Sequence, residues 1–153
     1  MDFSHFEKIY QETSNFDHHL GMELSVHDAG RITYRLTVRD HHLSSPGACH
    51  GGVISAMMDS VLGVTALSWV IPHGKLCATV EFKINYLSPV GAGDILEGAG
   101  ELEFTGSKLV VTTGRIQDLT NGHAVARGMG TFTLYPISKK AHLSALLSQQ
   151  RAT

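Results

Sequence analysis

The stretch HGGVISAMMDSVLGVTALSWVIPHG, residues 50–74, decides the fold of this 153-residue chain. Between its opening glycines and its proline, Asp59 is the only side chain that is ionised at neutral pH. The apolar residues do not keep to one stripe, and a helix that is apolar all round is buried in a protein core or in a membrane. The pattern predicts a helix over 53–71, which Pro72 and Gly74 end.

This helix is long enough to cross a membrane, so a membrane span is the alternative to a core helix. A carboxylate at mid-bilayer costs roughly 2.5–3.5 kcal/mol on insertion scales. The stretch also carries several hydroxyl residues and has no basic flank on either side. We therefore favour a core helix and expect no membrane partner.

The segments on both sides of the helix alternate apolar and polar residues, with the period of two that is typical of β-strands. Before the helix, 22–26 and 32–38 alternate around the turn Asp28-Ala29-Gly30 and predict a hairpin. After the helix, the pattern predicts strands over 80–86, 95–104, 108–118 and 123–135.

Two of these strands carry a more detailed prediction. In the strand over 80–86, Val80 is expected to share one face with Phe82, Ile84 and Tyr86, because they alternate with polar residues. Between the last two strands, Asn121-Gly122 predicts a type I′ turn, which needs positive φ angles at both central residues.

About six strands with one apolar face each need a cover, and the economical solution is an antiparallel sheet curled around one central helix. The sequence thus predicts a single α+β domain of the hotdog type over residues 1–153, with its core at about 20–136. Short helices over 3–13 and 138–150 are expected to flank this core.

Composition narrows the class of protein further. The net charge of -2 and the pI near 6.5 give no basic face, so nucleic acid is not an expected partner. Two cysteines, Cys49 and Cys77, are too few for a disulfide scaffold, and the first residues do not resemble a signal peptide. We expect free thiols and a cytoplasmic location.

His50-Gly51-Gly52 stands just before the helix, and Asp59 follows nine residues after His50. With the strand pattern around it, this signature resembles the hotdog-fold acyl-CoA thioesterases of the phenylacetate-pathway type. The resemblance runs from the hairpin at 22–38 to about residue 135, and it includes Asn85-Tyr86-Leu87-Ser88-Pro89, Gly93-Asp94 and Ala126-Arg127-Gly128. It implies hydrolysis of an acyl-CoA thioester to free acid and CoA, without a metal or redox cofactor.

The residue types suit this chemistry. A helix start exposes backbone N–H groups and the positive end of the helix dipole, and glycines let a carbonyl oxygen approach them. The Gly51 N–H is therefore expected to polarise the thioester oxygen, with Gly52 beside it in contact with substrate. Asp59 supplies a carboxylate that acts either as a general base on water or as the nucleophile, and the sequence leaves both roles open.

Distance adds a constraint on assembly. Gly51 and Asp59 are eight residues apart, which is on the order of 12 Å along a helix axis. One thioester carbon cannot touch both groups of one helix. We therefore expect a two-fold dimer, in which each of two shared sites takes Asp59 from one chain and Gly51 from the other. The resemblance also implies that dimers can pair into tetramers.

Three further positions are expected to contact substrate or to support those that do. His50 either fixes the loop through backbone bonds or touches the substrate. Thr79 matches a position where relatives carry a hydroxyl that helps to place the water. Ser44 stands where the resembling family usually has Asn or Gln, and a serine reaches less far.

The three phosphate groups of CoA need cations, and Lys108, Arg115 and Arg127 are the candidates, although each could equally be a solvated strand or turn cation. The ten histidines include no His-x-x-x-His pair and the cysteines form no Cys-x-x-Cys clamp, so no metal site is expected.

Two other functions stay open at this point. Hotdog folds also host dehydratases and hydratases of acyl thioesters, for which His50 and Asp59 would be available. A protein that binds acyl-CoA without hydrolysing it is the third possibility, because a fold does not fix a function. The sequence does not determine which acyl group is bound.

Overall fold

The computed structural model describes residues 3–45 and 47–139 as three α-helices and six β-strands. The helices are α1 (Phe3–Thr13), α2 (Asn15–Leu20) and α3 (Gly51–Val70). The strands are β1 (Met22–Asp28), β2 (Arg31–Thr37), β3 (Lys75–Tyr86), β4 (Ile95–Thr105), β5 (Leu109–Asp118) and β6 (Ala124–Pro136). Short 3₁₀ turns lie at Asp40–His42, Ile71–His73 and Ile137–Lys139.

All six strands join one antiparallel sheet in the order β1-β2-β4-β5-β6-β3. Helix α3 packs across one face of this sheet, and side chains such as Met57, Met58 and Leu62 are completely buried between them. This arrangement confirms the predicted α+β fold, a curled antiparallel sheet around one long helix. The stretch Gly51–His73 is long and apolar enough to cross a membrane, but 56% of its most apolar window is buried inside the domain, as in a core helix.

Glycines allow α3 to lie close to the sheet. On the helix-facing side of β4, β5 and β6, a Cβ atom at several glycine positions would collide with helix side chains. A Cβ at Gly98 would lie 2.5 Å from Val61 Cγ2, and one at Gly128 would lie 2.8 Å from Met58 Sδ. The positions with this property are Gly98, Gly100 and Gly128, and Gly114 is nearly as tight, because a Cβ there would lie 3.0 Å from Met58 Sδ. Interiors are close-packed, so the small residues set the distance between helix and sheet.

A bulge in β3 overturns one prediction. The pairing of β3 with β6 shifts between Thr79 and Glu81, so Val80 is an extra residue. Val80 has no partner on β6 and is 61% exposed, so the alternation predicted from Val80 to Tyr86 holds only from Phe82 onward. The consequence is that Thr79 and Tyr86, seven residues apart, both lie opposite buried β6 residues that face α3.

The turn between β5 and β6 also differs from the prediction. The hairpin is present, but only Gly122 has a positive φ (76°), so the turn is not type I′. The buried carboxylate of Asp118 accepts the N–H groups of Thr120 and Asn121 at 2.8 and 3.3 Å, which holds Asn121 out of the left-handed region. Burial by itself raises the pKa of Asp118, but the hydrogen bond from Asn121 Nδ2 (2.7 Å), the two N–H groups and the nearby His123 outweigh it and lower the pKa from its ordinary value.

Two short helices precede the first strand of the sheet. Helix α1 covers the segment predicted for it, 3–13, whereas the short helix α2 was not predicted. The buried Asp17 on α2 accepts hydrogen bonds from Tyr34 Oη (2.7 Å) and Ser60 Oγ (3.0 Å), which ties α2 to β2 and α3. The helix predicted at 138–150 lies almost entirely outside the described residues.

Candidate active site

His50 caps the N-terminus of α3. Its backbone is extended (φ -63°, ψ 134°), and its Nδ1 accepts a hydrogen bond from the Gly52 N–H at 2.8 Å. Because Nδ1 is the acceptor, the neutral ring carries its proton on Nε2. The His50 N–H donates to the His42 carbonyl at 2.8 Å, so the loop before the helix is also held. In this geometry His50 fixes the loop, and its ring nitrogen takes up the Gly52 N–H.

The Gly51 N–H is the donor that stays available at this helix start. The carbonyl of His50, in the same peptide unit, accepts the N–H groups of Val53 (2.9 Å) and Ile54 (3.4 Å). In a trans peptide the N–H points opposite to the C=O, so the Gly51 N–H points out of the helix end. Within 3–45 and 47–139 no group accepts a hydrogen bond from it. It therefore has the position expected of a carbonyl-polarising donor.

Asp59 lies two turns further along α3 and is half-buried. Thr79 Oγ1 on β3 donates a hydrogen bond to Asp59 Oδ1 at 3.2 Å. The structure thus brings together the carboxylate and the hydroxyl that the sequence marked as separate candidates. A donor on one carboxylate oxygen fixes the orientation of the group and leaves the other oxygen free to act on water or on a substrate.

Within one protomer, Asp59 and Gly51 are not brought together. They lie on the same helix, about 12 Å apart along its axis. The strand β3, which among the described residues pairs only with β6 and so forms an edge, runs beside both of them. Side chains on and just after this strand are unusually exposed for apolar residues: Val80 at 61%, Tyr86 at 54% and Leu87 at 53%. A second molecule could pair with this edge.

Ser44 has a local role. Its N–H and its hydroxyl both donate to the Ala48 carbonyl, at 2.8 and 3.0 Å, and close the turn that precedes His50. In the part of the chain that the structure describes, its side chain makes no hydrogen bond to Asp59 or Thr79.

The three candidate cations lie away from Asp59. Lys108 is exposed in the turn between β4 and β5. Arg115 and Arg127 lie opposite each other on β5 and β6, on the sheet face that points away from α3. Arg115 pairs with Glu101 at 3.5 Å, whereas no ion pair to Arg127 is found among the described residues. In one protomer these side chains do not join the candidate site.

The sequence did not reveal one contact at the site. Tyr86 Oη, at the end of β3, donates to the Gly51 carbonyl at 3.1 Å, and a Cβ built at Gly51 would lie 3.6 Å from the Tyr86 ring. Alternation places Tyr86 on one face with Phe82 and Ile84, and the bulge at Val80 brings Thr79 to that same face.

The cysteines are poor nucleophiles. Burial raises the pKa of Cys49 to about 11 and that of Cys77 to about 12, so both thiols are protonated at neutral pH. Both are free. No group of three His, Cys, Asp or Glu side chains within the described ranges is arranged to hold a metal ion.

Comparison with known proteins gives the family. The model of the thioesterase superfamily matches residues 46–124, more than half of the chain and the part that holds His50, Gly51, Asp59 and Thr79. The chain belongs to the thioesterase superfamily. This confirms the resemblance drawn from the His-Gly-Gly signature.

Individual relatives agree with this family. A putative esterase of Caenorhabditis elegans is 28% identical over 110 residues, 69% of this chain but only 62% of that protein, which is less than two thirds of its length. Human acyl-coenzyme A thioesterase 13 is 24% identical over 125 residues, covering 81% of this chain and 88% of that protein. These names support the expected enzyme class, a thioester hydrolase.

Solved structures share the fold. The PaaI protein of Escherichia coli superposes with a TM-score of 0.77 at 22% identity, over 86% of this chain and 91% of that one. A hypothetical thioesterase of Streptococcus pneumoniae, solved with coenzyme A, has a TM-score of 0.69 at 23% identity, over 76% of this chain and 90% of that one. At these identities the likeness establishes the fold.

Proposed function

We propose that this thioesterase-superfamily chain hydrolyses an acyl-CoA thioester to a free acid and CoA. Asp59 acts as general base or nucleophile, and the Gly51 N–H polarises the thioester carbonyl and holds the oxyanion. The observation that carries the proposal is the outward-pointing Gly51 N–H at the start of the helix that also bears Asp59, for which the described residues offer no acceptor. A donor of this kind contributes roughly 2.7–4 kcal/mol to transition-state stabilisation where it has been measured.

Acyl-CoA as the substrate class is supported from two sides. The human relative is named an acyl-coenzyme A thioesterase, and the S. pneumoniae protein of the same fold was solved with coenzyme A. Arg127, exposed and without an ion-pair partner among the described residues, remains a candidate for the CoA phosphates, with Arg115 and Lys108. The protein's own residues supply both the donor and the carboxylate, so the proposed reaction requires no cofactor.

The proposal includes a two-fold dimer with shared sites. About 12 Å separates Gly51 from Asp59 in one helix, which is too far for both to act on one carbon. A second protomer whose α3 runs antiparallel would bring its Gly51 to the Asp59 of the first. The unpaired edge of β3 and its exposed Val80 and Tyr86 support this arrangement, because an open edge strand is a template for pairing with another chain.

The test of the reaction is thiol release from a panel of acyl-CoA thioesters, with aromatic, medium-chain and long-chain members, and enoyl absorbance read in parallel. Wild type should release thiol from at least one member, and Asp59→Ala should lose at least a hundredfold of that rate. Asp28→Ala, which removes an exposed carboxylate on the β1–β2 hairpin, is the control and should retain activity. Enoyl absorbance without thiol release would indicate a dehydratase, and tight CoA binding without either signal would indicate a binding protein.

The test of the shared site is a mixture of two inactive variants, Asp59→Asn and Gly51→Pro. After subunit exchange, each mixed dimer should hold one site with an intact Asp59 and an intact Gly51. Random exchange of equal amounts should therefore restore about a quarter of the wild-type sites. If exchange is verified with two affinity tags and activity does not return, the shared site is refuted.

A further inference from the structure

The peptide unit between Gly51 and Gly52 is held from both sides by side chains outside the helix ladder. Tyr86 Oη donates to its carbonyl oxygen at 3.1 Å, and His50 Nδ1 accepts from its N–H at 2.8 Å. First turns of helices ordinarily fray because their N–H groups have no partners in the helix. Here two aromatic side chains, from β3 and from the N-cap, fix the plane of the first complete peptide of α3.

This clamp lies directly after the peptide that carries the candidate donor. The Gly51 N–H belongs to the preceding unit, and only the Gly51 Cα separates the two planes. Glycine has wide conformational freedom, so a glycine between two peptide planes transmits orientation poorly unless both planes are held. The first plane is held by the bonds of the His50 carbonyl to Val53 and Ile54. The second plane is held by Tyr86 and His50 in addition to the helix-ladder bond that its carbonyl accepts.

The bulge in β3 brings Thr79 to the same face of the sheet as Tyr86. Without the extra residue Val80, Thr79 and Tyr86 would point to opposite faces of the sheet, since seven residues separate them. With it, both face α3: Thr79 bonds the Asp59 carboxylate, and Tyr86 bonds the first turn of the helix. One edge strand thus supplies one hydroxyl to the Asp59 carboxylate and another to the peptide unit that follows the Gly51 N–H.

We infer that Tyr86 is a positioning residue for hydrolysis: its hydroxyl, through the Gly51 carbonyl, aims the Gly51 N–H at the oxyanion. This inference rests on the proposed function. In the shared-site dimer, each β3 would serve both sites, with Thr79 at one and Tyr86 at the other. A correctly oriented N–H donor stabilises the oxyanion, whose charge develops in the transition state. Tyr86 is therefore expected to affect kcat more than substrate binding.

The test is Tyr86→Phe, which removes the hydroxyl and keeps the ring. Loss of one neutral hydrogen bond should lower kcat about 3- to 10-fold, with KM changed less than twofold. Tyr135→Phe is the matched control, because Tyr135 lies outside the site near the end of β6 and should keep wild-type kcat. The melting temperatures of both variants are measured to establish that they fold.

A second readout does not depend on activity. Hydrogen exchange of the Gly52 amide, resolved by NMR, should be faster in Tyr86→Phe than in wild type and unchanged in Tyr135→Phe. If wild type hydrolyses no thioester, the proposed function fails and the exchange experiment still tests the clamp. Unchanged exchange with unchanged kcat would refute the positioning role, and so would a raised KM at constant kcat, which would make Tyr86 a substrate contact.

Discussion

Replacing Gly100 with alanine is expected to destabilise the domain strongly, because this glycine lies where β4 passes closest to α3. A Cβ at this position would overlap Thr65 Oγ1 and would lie 3.1 Å from the Val61 carbonyl oxygen. The Thr65 hydroxyl is completely buried and donates to that same carbonyl at 2.7 Å. The new methyl group must therefore displace a buried, hydrogen-bonded side chain.

Two terms set the size of the effect. Forcing an extra methyl group into a packed core costs about 1–3 kcal/mol. Displacing the Thr65 hydroxyl from its acceptor adds about 1–3 kcal/mol for a buried polar group left without its bond. We expect Gly100→Ala to lose about 2–5 kcal/mol of unfolding free energy, because the two terms partly share the same movement. In a domain of this size that lowers Tm by about 4–20 °C.

The assay is urea and thermal unfolding at one fixed protein concentration, because the stability of the proposed dimer would depend on concentration. Gly91→Ala is the control: a Cβ there meets no atom within 4 Å, so the change should stay within about 0.5 kcal/mol. In a Thr65→Ala background, Gly100→Ala should cost at least about 1 kcal/mol less than in wild type. Equal cost in the two backgrounds, or a Gly100→Ala protein as stable as Gly91→Ala, would refute the close-approach argument.

Two further predictions concern Thr79 and His42. Thr79→Val removes the hydrogen-bond donor to Asp59 Oδ1, and because this site is solvent-accessible we expect a loss of about 1 kcal/mol of transition-state stabilisation, or about 5-fold in kcat. The control Thr133→Val should keep the wild-type kcat in steady-state kinetics. Equal kcat values for the two variants would show that the reaction does not use this bond. Burial lowers the pKa of His42, which is 1% exposed, so the unfolded chain binds more protons near pH 6. The contribution of His42 to the unfolding free energy should therefore be fully present above about pH 6.5. Below that pH it should decrease by at most about 1.4 kcal/mol per pH unit. Urea unfolding between pH 5 and 7.5 should show a flatter slope for His42→Gln, and parallel curves would contradict the assignment.

Much of the fold follows from local patterns. The apolar stretch that contains Asp59 predicts a helix in a core or a membrane, and its carboxylate favours the core. Its proline and Gly74 give the stop, and the predicted helix begins within two residues of the start of α3. Alternation located all six strands because each has one face against the helix. Helix α2 was missed because six residues are too few to show a period, and the tertiary bonds of Asp17 hold it in place.

The sequence by itself determined the identity of the chemical groups: a His-Gly-Gly helix start, one carboxylate within the apolar helix, and the strands that enclose it. Only the tertiary structure decided which side chains reach those groups. Thr79 is 20 residues from Asp59, and Tyr86 is 35 residues from Gly51. Whether both lie on the same face of the sheet depends on the single extra residue Val80. Such a bulge is fixed by pairing with β6 and by packing against α3, which no local pattern in β3 contains.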